Sequence, residues 1–87
     1  MTFQGAVVRE QGVTFAIVIV RSSALHTAAA GQETIRSFQP LFPSTPIVLM
    51  AQDSRGTPTY FGRRDIVDFL SHISISRIPW KEYSFAA

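Results

Sequence analysis

Val13-Thr14-Phe15-Ala16-Ile17-Val18-Ile19-Val20-Arg21 is the stretch on which the fold turns. Side chains of a strand alternate between its two faces, and here both alternating sets are apolar: Phe15, Ile17 and Ile19 on one, Ala16, Val18 and Val20 on the other. A strand of this kind belongs at the centre of a sheet covered on both sides. The preceding residues, 3–9, are also rich in strand formers and are separated from it by Glu10-Gln11-Gly12, a short loop whose glycine tolerates positive φ. The two runs read as a hairpin.

Beyond this strand, Ser22-Ser23 are placed to cap a helix, and residues 24–39 bring Leu25, Ala28, Ala29, Ile35 and Phe38 to roughly helical spacing. Gly31 divides the stretch, and mid-helix glycine costs about 1 kcal/mol against alanine. Helix is therefore favoured more over Gln32 to Gln39 than over Ala24 to Ala30, and Pro40 ends the run, with Leu41 to Pro46 as an extended connector. Ile47-Val48-Leu49-Met50-Ala51 is a second continuous apolar strand. Because a helical crossover leads to it from the first central strand, the two should run parallel with a right-handed connection.

The turn Asp53-Ser54-Arg55-Gly56 then returns the chain as an antiparallel strand over Thr57 to Phe61, which Pro58 confines to an edge or to its own first position. After Gly62 a helix over Arg63 to Ile73 places Ile66, Phe69, Leu70 and Ile73 on one face and Arg64, Asp65, Asp68 and Ser71 in solvent, with Arg64 and Asp68 as an i,i+4 ion pair. A short strand over residues 74–78 and an aromatic segment from Pro79 to Phe85 complete the chain. These elements describe one α/β (α+β) domain over residues 1–87 with an aromatic tail at 74–87. Its order is ββαββα(β), a two-layer sandwich on a mixed sheet of four or five strands. With both helices on one side, the tail or a second subunit would have to cover the other face.

Eighty-seven residues allow one small core, and a 46% hydrophobic content with seven Phe supports it. Absence of cysteine excludes disulfides, thiolate metal sites and thiol redox chemistry, and suits a reducing cytoplasm. The segment from Met1 to Ala6 has no leader-like pattern, and the apolar run Phe15 to Val20 is far below the roughly 20 residues of a membrane helix. A soluble, unprocessed, cytoplasmic protein without a membrane partner is expected. The formal charge of +2 is spread along the chain, so nucleic acid is not indicated.

Polar chemistry concentrates between Asp53 and Asp65. Amides at the start of the second helix, with Thr59, Arg63 and Arg64, form a candidate anion or nucleotide site. Arg55, Arg63 and Arg64 beside Tyr60 and Phe61 form a candidate grip on single-stranded nucleic acid. The plainer reading makes Gly62 a turn residue, the arginines solvated and Thr57 and Thr59 ordinary edge residues, since the glycines of a phosphate loop are missing. Tyr60 and Phe61 must also point to opposite faces, so a stacking platform could use only one. His26 and His72 lie in no metal or catalytic spacing, and no serine sits in a nucleophile motif. No catalytic residue, metal or cofactor is implied. In the tail, Trp80, Tyr83 and Phe85 alternate with Lys81 and Glu82, a pattern suited either to an interface or to docking within the chain.

The runs Gly56 to Leu70 and Ile78 to Tyr83 resemble those of small uncharacterised bacterial proteins, often cyanobacterial. That resemblance implies a cytoplasmic bacterial origin and brings no activity with it. A fainter likeness, to the C-terminal half of thioredoxin-like proteins, rests on a proline-containing strand followed by a final helix, without the redox cysteines. Together these features point to a small homo-oligomeric interaction or regulatory module, a homodimer or the partner of another protein, more than to an enzyme. The alternative is an anion, nucleotide or nucleic-acid binder working through residues 53–65.

Overall fold

A computed structural model describes residues 2–84. Strand β1 (Thr2–Glu10) and strand β2 (Val13–Ile19) pair antiparallel from Gly5↔Val18 to Glu10↔Val13. Their two-residue turn places both Gln11 (φ 49°) and Gly12 (φ 79°) at positive φ, as a type I′ hairpin turn requires. Helix α1 (Ala28–Phe38) carries the chain to β3 (Ile47–Gln52), which lies parallel to β2 with Ala16 against Ile47 and Ile19 against Met50. Strand β4 (Pro58–Phe61) returns antiparallel on β3, and helix α2 (Arg64–Leu70) follows. Finally β5 (Lys81–Ser84) pairs antiparallel with Thr2 to Gly5 of β1, so the sheet order is β4-β3-β2-β1-β5.

The mixed five-stranded sheet, the α+β class and the central place of β2 follow the sequence reading. The layering does not. Phe15, Ile17, Val48 and Met50 point to one face and pack with Ile66 and Leu70 of α2 and with Ile78. Ala16, Val18, Ile47 and Leu49 point to the other and pack with Ile35 and Phe38 of α1, Leu25 and Phe42. The helices thus take opposite faces, giving three layers where two were expected. With both side-chain sets of β2 and β3 apolar, one helix per face removes both from water within a single chain, at about 1.5–3 kcal/mol for each large side chain fully buried. No second subunit is required to cover the sheet.

Helix α1 runs through Gly31 and begins at Ala28, within the segment the sequence favoured less. Thr27, not Ser22 or Ser23, is its N-cap, its hydroxyl accepting the Ala30 N–H at 3.0 Å. Ser22–Leu25 forms a 3-10 turn of its own. Gly31 is buried against the ring of Phe61, and a Cβ there would lie 2.5 Å from the nearest ring carbon. Close packing of helix on strand, not a break, accounts for this glycine. The connector is compact, not extended: Gln39–Leu41 is a 3-10 turn, and the Gln39 amide donates to the carbonyls of Phe42 and Thr45. Residues 74–78, expected as a strand, instead hold a 3-10 turn over Ile75–Arg77, started by Ser74, whose side chain accepts the Ser76 N–H. The fifth strand begins after Pro79.

Candidate functional site

The Asp53–Gly56 turn is closed on itself. Asp53 Oδ1 accepts the backbone N–H of Arg55 at 2.8 Å and of Thr57 at 2.9 Å, and the Gln52 amide donates to the Gly56 carbonyl. Arg55 is exposed on this turn, beyond the carboxyl end of β3. From there β4 runs back along β3, pairing Gln52 with Pro58 and Leu49 with Phe61, so four residues at about 3.3 Å each separate its two ends. Arg63 and Arg64 therefore lie at the opposite end of the sheet from Arg55. Thr59 stays near the turn, lining a shallow cleft with Ser22, Leu25, Gln52, Asp53 and Ser54. The structure thus does not bring the five sequence-predicted ligand residues together.

At the start of α2 the expected anion seat holds the chain's own carboxylate. Arg63 grips Asp65 through two parallel bonds, Nε to Oδ1 at 2.8 Å and Nη2 to Oδ2 at 2.7 Å, and Oδ1 also accepts the Ile66 N–H at 3.0 Å. This hydrogen bond is the main reason the Asp65 carboxyl sits below, and the Arg63 guanidinium above, its ordinary range. Arg63–Asp65 is the one ion pair among the described residues, and the expected Arg64–Asp68 pair does not form. Arg64 remains exposed.

Tyr60 and Phe61 point to opposite faces, as their parity requires. Tyr60 packs on the α2 side and Phe61 on the α1 side, so neither offers a free stacking surface. The Tyr60 hydroxyl is buried without a hydrogen-bond partner, and burial pushes its pKa up.

Trp80 and Tyr83 dock within the chain. Trp80 packs against the α2-side core and its indole N–H donates to the Ile75 carbonyl at 3.0 Å. Tyr83 stacks on Phe3 with ring centroids 5.2 Å apart and meets Phe42 edge-on at 5.5 Å, while Lys81 Nζ lies 4.9 Å over its ring. Both side chains keep partial exposure. Phe85 lies outside the described residues.

The two sheet edges differ in what their backbones offer. Met50 accepts from the Val20 N–H and so faces β2; the alternation then turns Leu49 and Ala51 toward β4, and with them Phe61 and Thr59. On β4 only Pro58 and Tyr60 face outward, and proline has no N–H. At the other side, Ala16 donates to Pro46 and faces β3, so Ile17 and its partner Ala6 face each other and Gly5 faces Lys81. Glu82 and Ser84 therefore turn their N–H and C=O groups outward from β5. By the same alternation Val7 and Arg9 turn theirs outward from the part of β1 that β5 does not reach. Val7 is also the most exposed large hydrophobic among the described residues, at 45%. The sequence reading singled out the aromatic rings of this edge and missed these backbone positions, which only strand register reveals.

Asp68 and His72 meet through the Asp68 carbonyl and His72 Nδ1 on one turn of chain, and no cluster of metal-ligating side chains occurs among the described residues. Among the described residues no helix is long and apolar enough to cross a membrane. No family model, curated protein or solved structure matches this chain.

Proposed function

We propose that this chain is a small interaction module that acts as a homo-oligomer, in its simplest form a homodimer, by adding strands at the β1/β5 side of its sheet. The observation that supports this reading is the inequality of the edges. Pro58 leaves Tyr60 as the single outward N–H of β4, a usual way of blunting an edge, whereas Glu82 and Ser84 of β5 keep both backbone groups available. Strand addition to such an edge is a recurrent recognition mode in which main-chain bonds give affinity and side chains give choice. The absence of cysteine suits a reducing cytoplasm as the place of action.

Anion or nucleic-acid binding through residues 53–65 has weaker support, because Arg63 is engaged with Asp65 and Arg55 lies at the far end of β4. The test is native mass by light scattering on the wild type and on Glu82→Pro. Proline at 82 removes an N–H that β1 does not use, so the fold should persist, with an unchanged far-ultraviolet spectrum, while the dimer is lost. A wild-type monomer at every concentration tried would overturn the proposal, as would a Glu82→Pro variant that stays folded and dimeric.

A further inference from the structure

We infer that the second copy docks on β5 antiparallel, with Tyr83 of each copy facing the other across the two-fold axis, so that two five-stranded sheets join into one. The inference rests on the self-association reading and adds its register. A two-fold axis perpendicular to the sheet keeps the α1 side of both copies on the same side, so residues of like parity must meet.

Four registers place the axis within β5. Centring on Lys81 sets two ammonium groups directly opposite, and centring on Glu82 does the same with two carboxylates; like charges in that position are destabilising. Centring on Ser84 leaves Lys81, Glu82 and Tyr83 with no opposite residue inside the strand. Centring on Tyr83 sets each Glu82 against Ser84 of the second copy. These are the outward-facing residues, so each such pair exchanges two main-chain bonds.

The same register has a side-chain consequence. Tyr83 is the outermost ring of an aromatic cluster in which Phe3 meets Phe38 at 5.0 Å and Phe42 at 6.2 Å. Bringing two Tyr83 rings together on the α1 side joins the two clusters across the axis. The shared strand is only four residues long. So short a strand makes a small interface of the weak, transient class, and the dimer should dissociate on dilution.

The chain has no cysteine, which makes single-cysteine variants clean reporters. Directly opposite residues in an antiparallel pair have Cα atoms about 4.5–5.5 Å apart, inside the roughly 4.4–6.8 Å span of a disulfide. With oxidised glutathione, Tyr83→Cys should form a covalent dimer on the order of tenfold faster than in urea, because pairing makes the step effectively intramolecular. Since Tyr83 supports the fold through Phe3, the exposed positions give a second reading: Glu82→Cys and Ser84→Cys should cross-link with each other in an equal mixture, and neither with itself. Rapid cross-linking of Glu82→Cys alone, in a protein that light scattering finds dimeric, would overturn the register and leave self-association standing. A monomeric mass with no cross-link above the urea rate would remove both.

Discussion

Gly31→Ala separates local propensity from tertiary packing. Considered as a helix position, it should gain about 1 kcal/mol, the usual advantage of alanine over glycine in a helix interior. In the structure the added Cβ would sit 2.5, 2.7 and 2.8 Å from three carbons of the Phe61 ring, against an ordinary contact of 3.4 Å or more. Relief needs the ring or the helix to move by nearly an ångström, and overpacking of this kind costs about 1–3 kcal/mol. The expected net effect is a loss of about 1 kcal/mol, a fall in Tm of about 4–8 °C for a domain of this size. Phe61→Ala removes the obstruction, so in that background Gly31→Ala should stabilise by about 1 kcal/mol, and the two sites should couple by about 2 kcal/mol. Urea melts of the four proteins give the cycle. A wild-type background in which Gly31→Ala raises stability, or a cycle with no coupling, would refute the packing account.

Two further expectations concern titrating groups. The Tyr60 hydroxyl is buried and unpartnered, so Tyr60→Phe should stabilise by about 1 kcal/mol in chemical denaturation near neutral pH. Because burial raises the folded phenol above 10.0, unfolded chains ionise first, and wild-type stability should fall as pH rises past about 10 by an increment that Tyr60→Phe lacks. Asp65 has a depressed folded pKa, so its stabilisation is present above the unfolded carboxylate range and lost as pH falls through the folded value. Thermal melts of wild type and Asp65→Asn should differ at neutral pH, with the variant lower, and converge in acid; added salt should also narrow the gap, since the pair is exposed.

Much of the fold was legible because it depends on alternation and chain punctuation. Two apolar sets in Val13–Ile19 demand a central strand, Gly12 permits the hairpin, a crossover helix makes β3 parallel to β2, and Pro58 belongs at the start of an edge strand. Those signals act over a few residues and survive in any tertiary arrangement. The 3-10 turn at Ile75–Arg77 was hidden because β-branched isoleucines in a short run also suit a strand, while local hydrogen bonding by Ser74 turns the chain.

What only the tertiary structure decided is which surfaces meet. An apolar stripe on a helix specifies burial, not the sheet face that receives it, so the division of α1 and α2 between two faces was beyond periodicity. Gly31 looks like a helix breaker until Phe61, thirty residues away, is placed against it. The same holds for the candidate sites: Asp53 to Asp65 is compact in sequence, but β4 spans the sheet and parts Arg55 from Arg63 and Arg64. Outward N–H groups at Glu82 and Ser84 follow from the register of β5 on β1, a long-range pairing whose energy lies in contacts between the two ends of the chain and leaves no mark in either segment read alone.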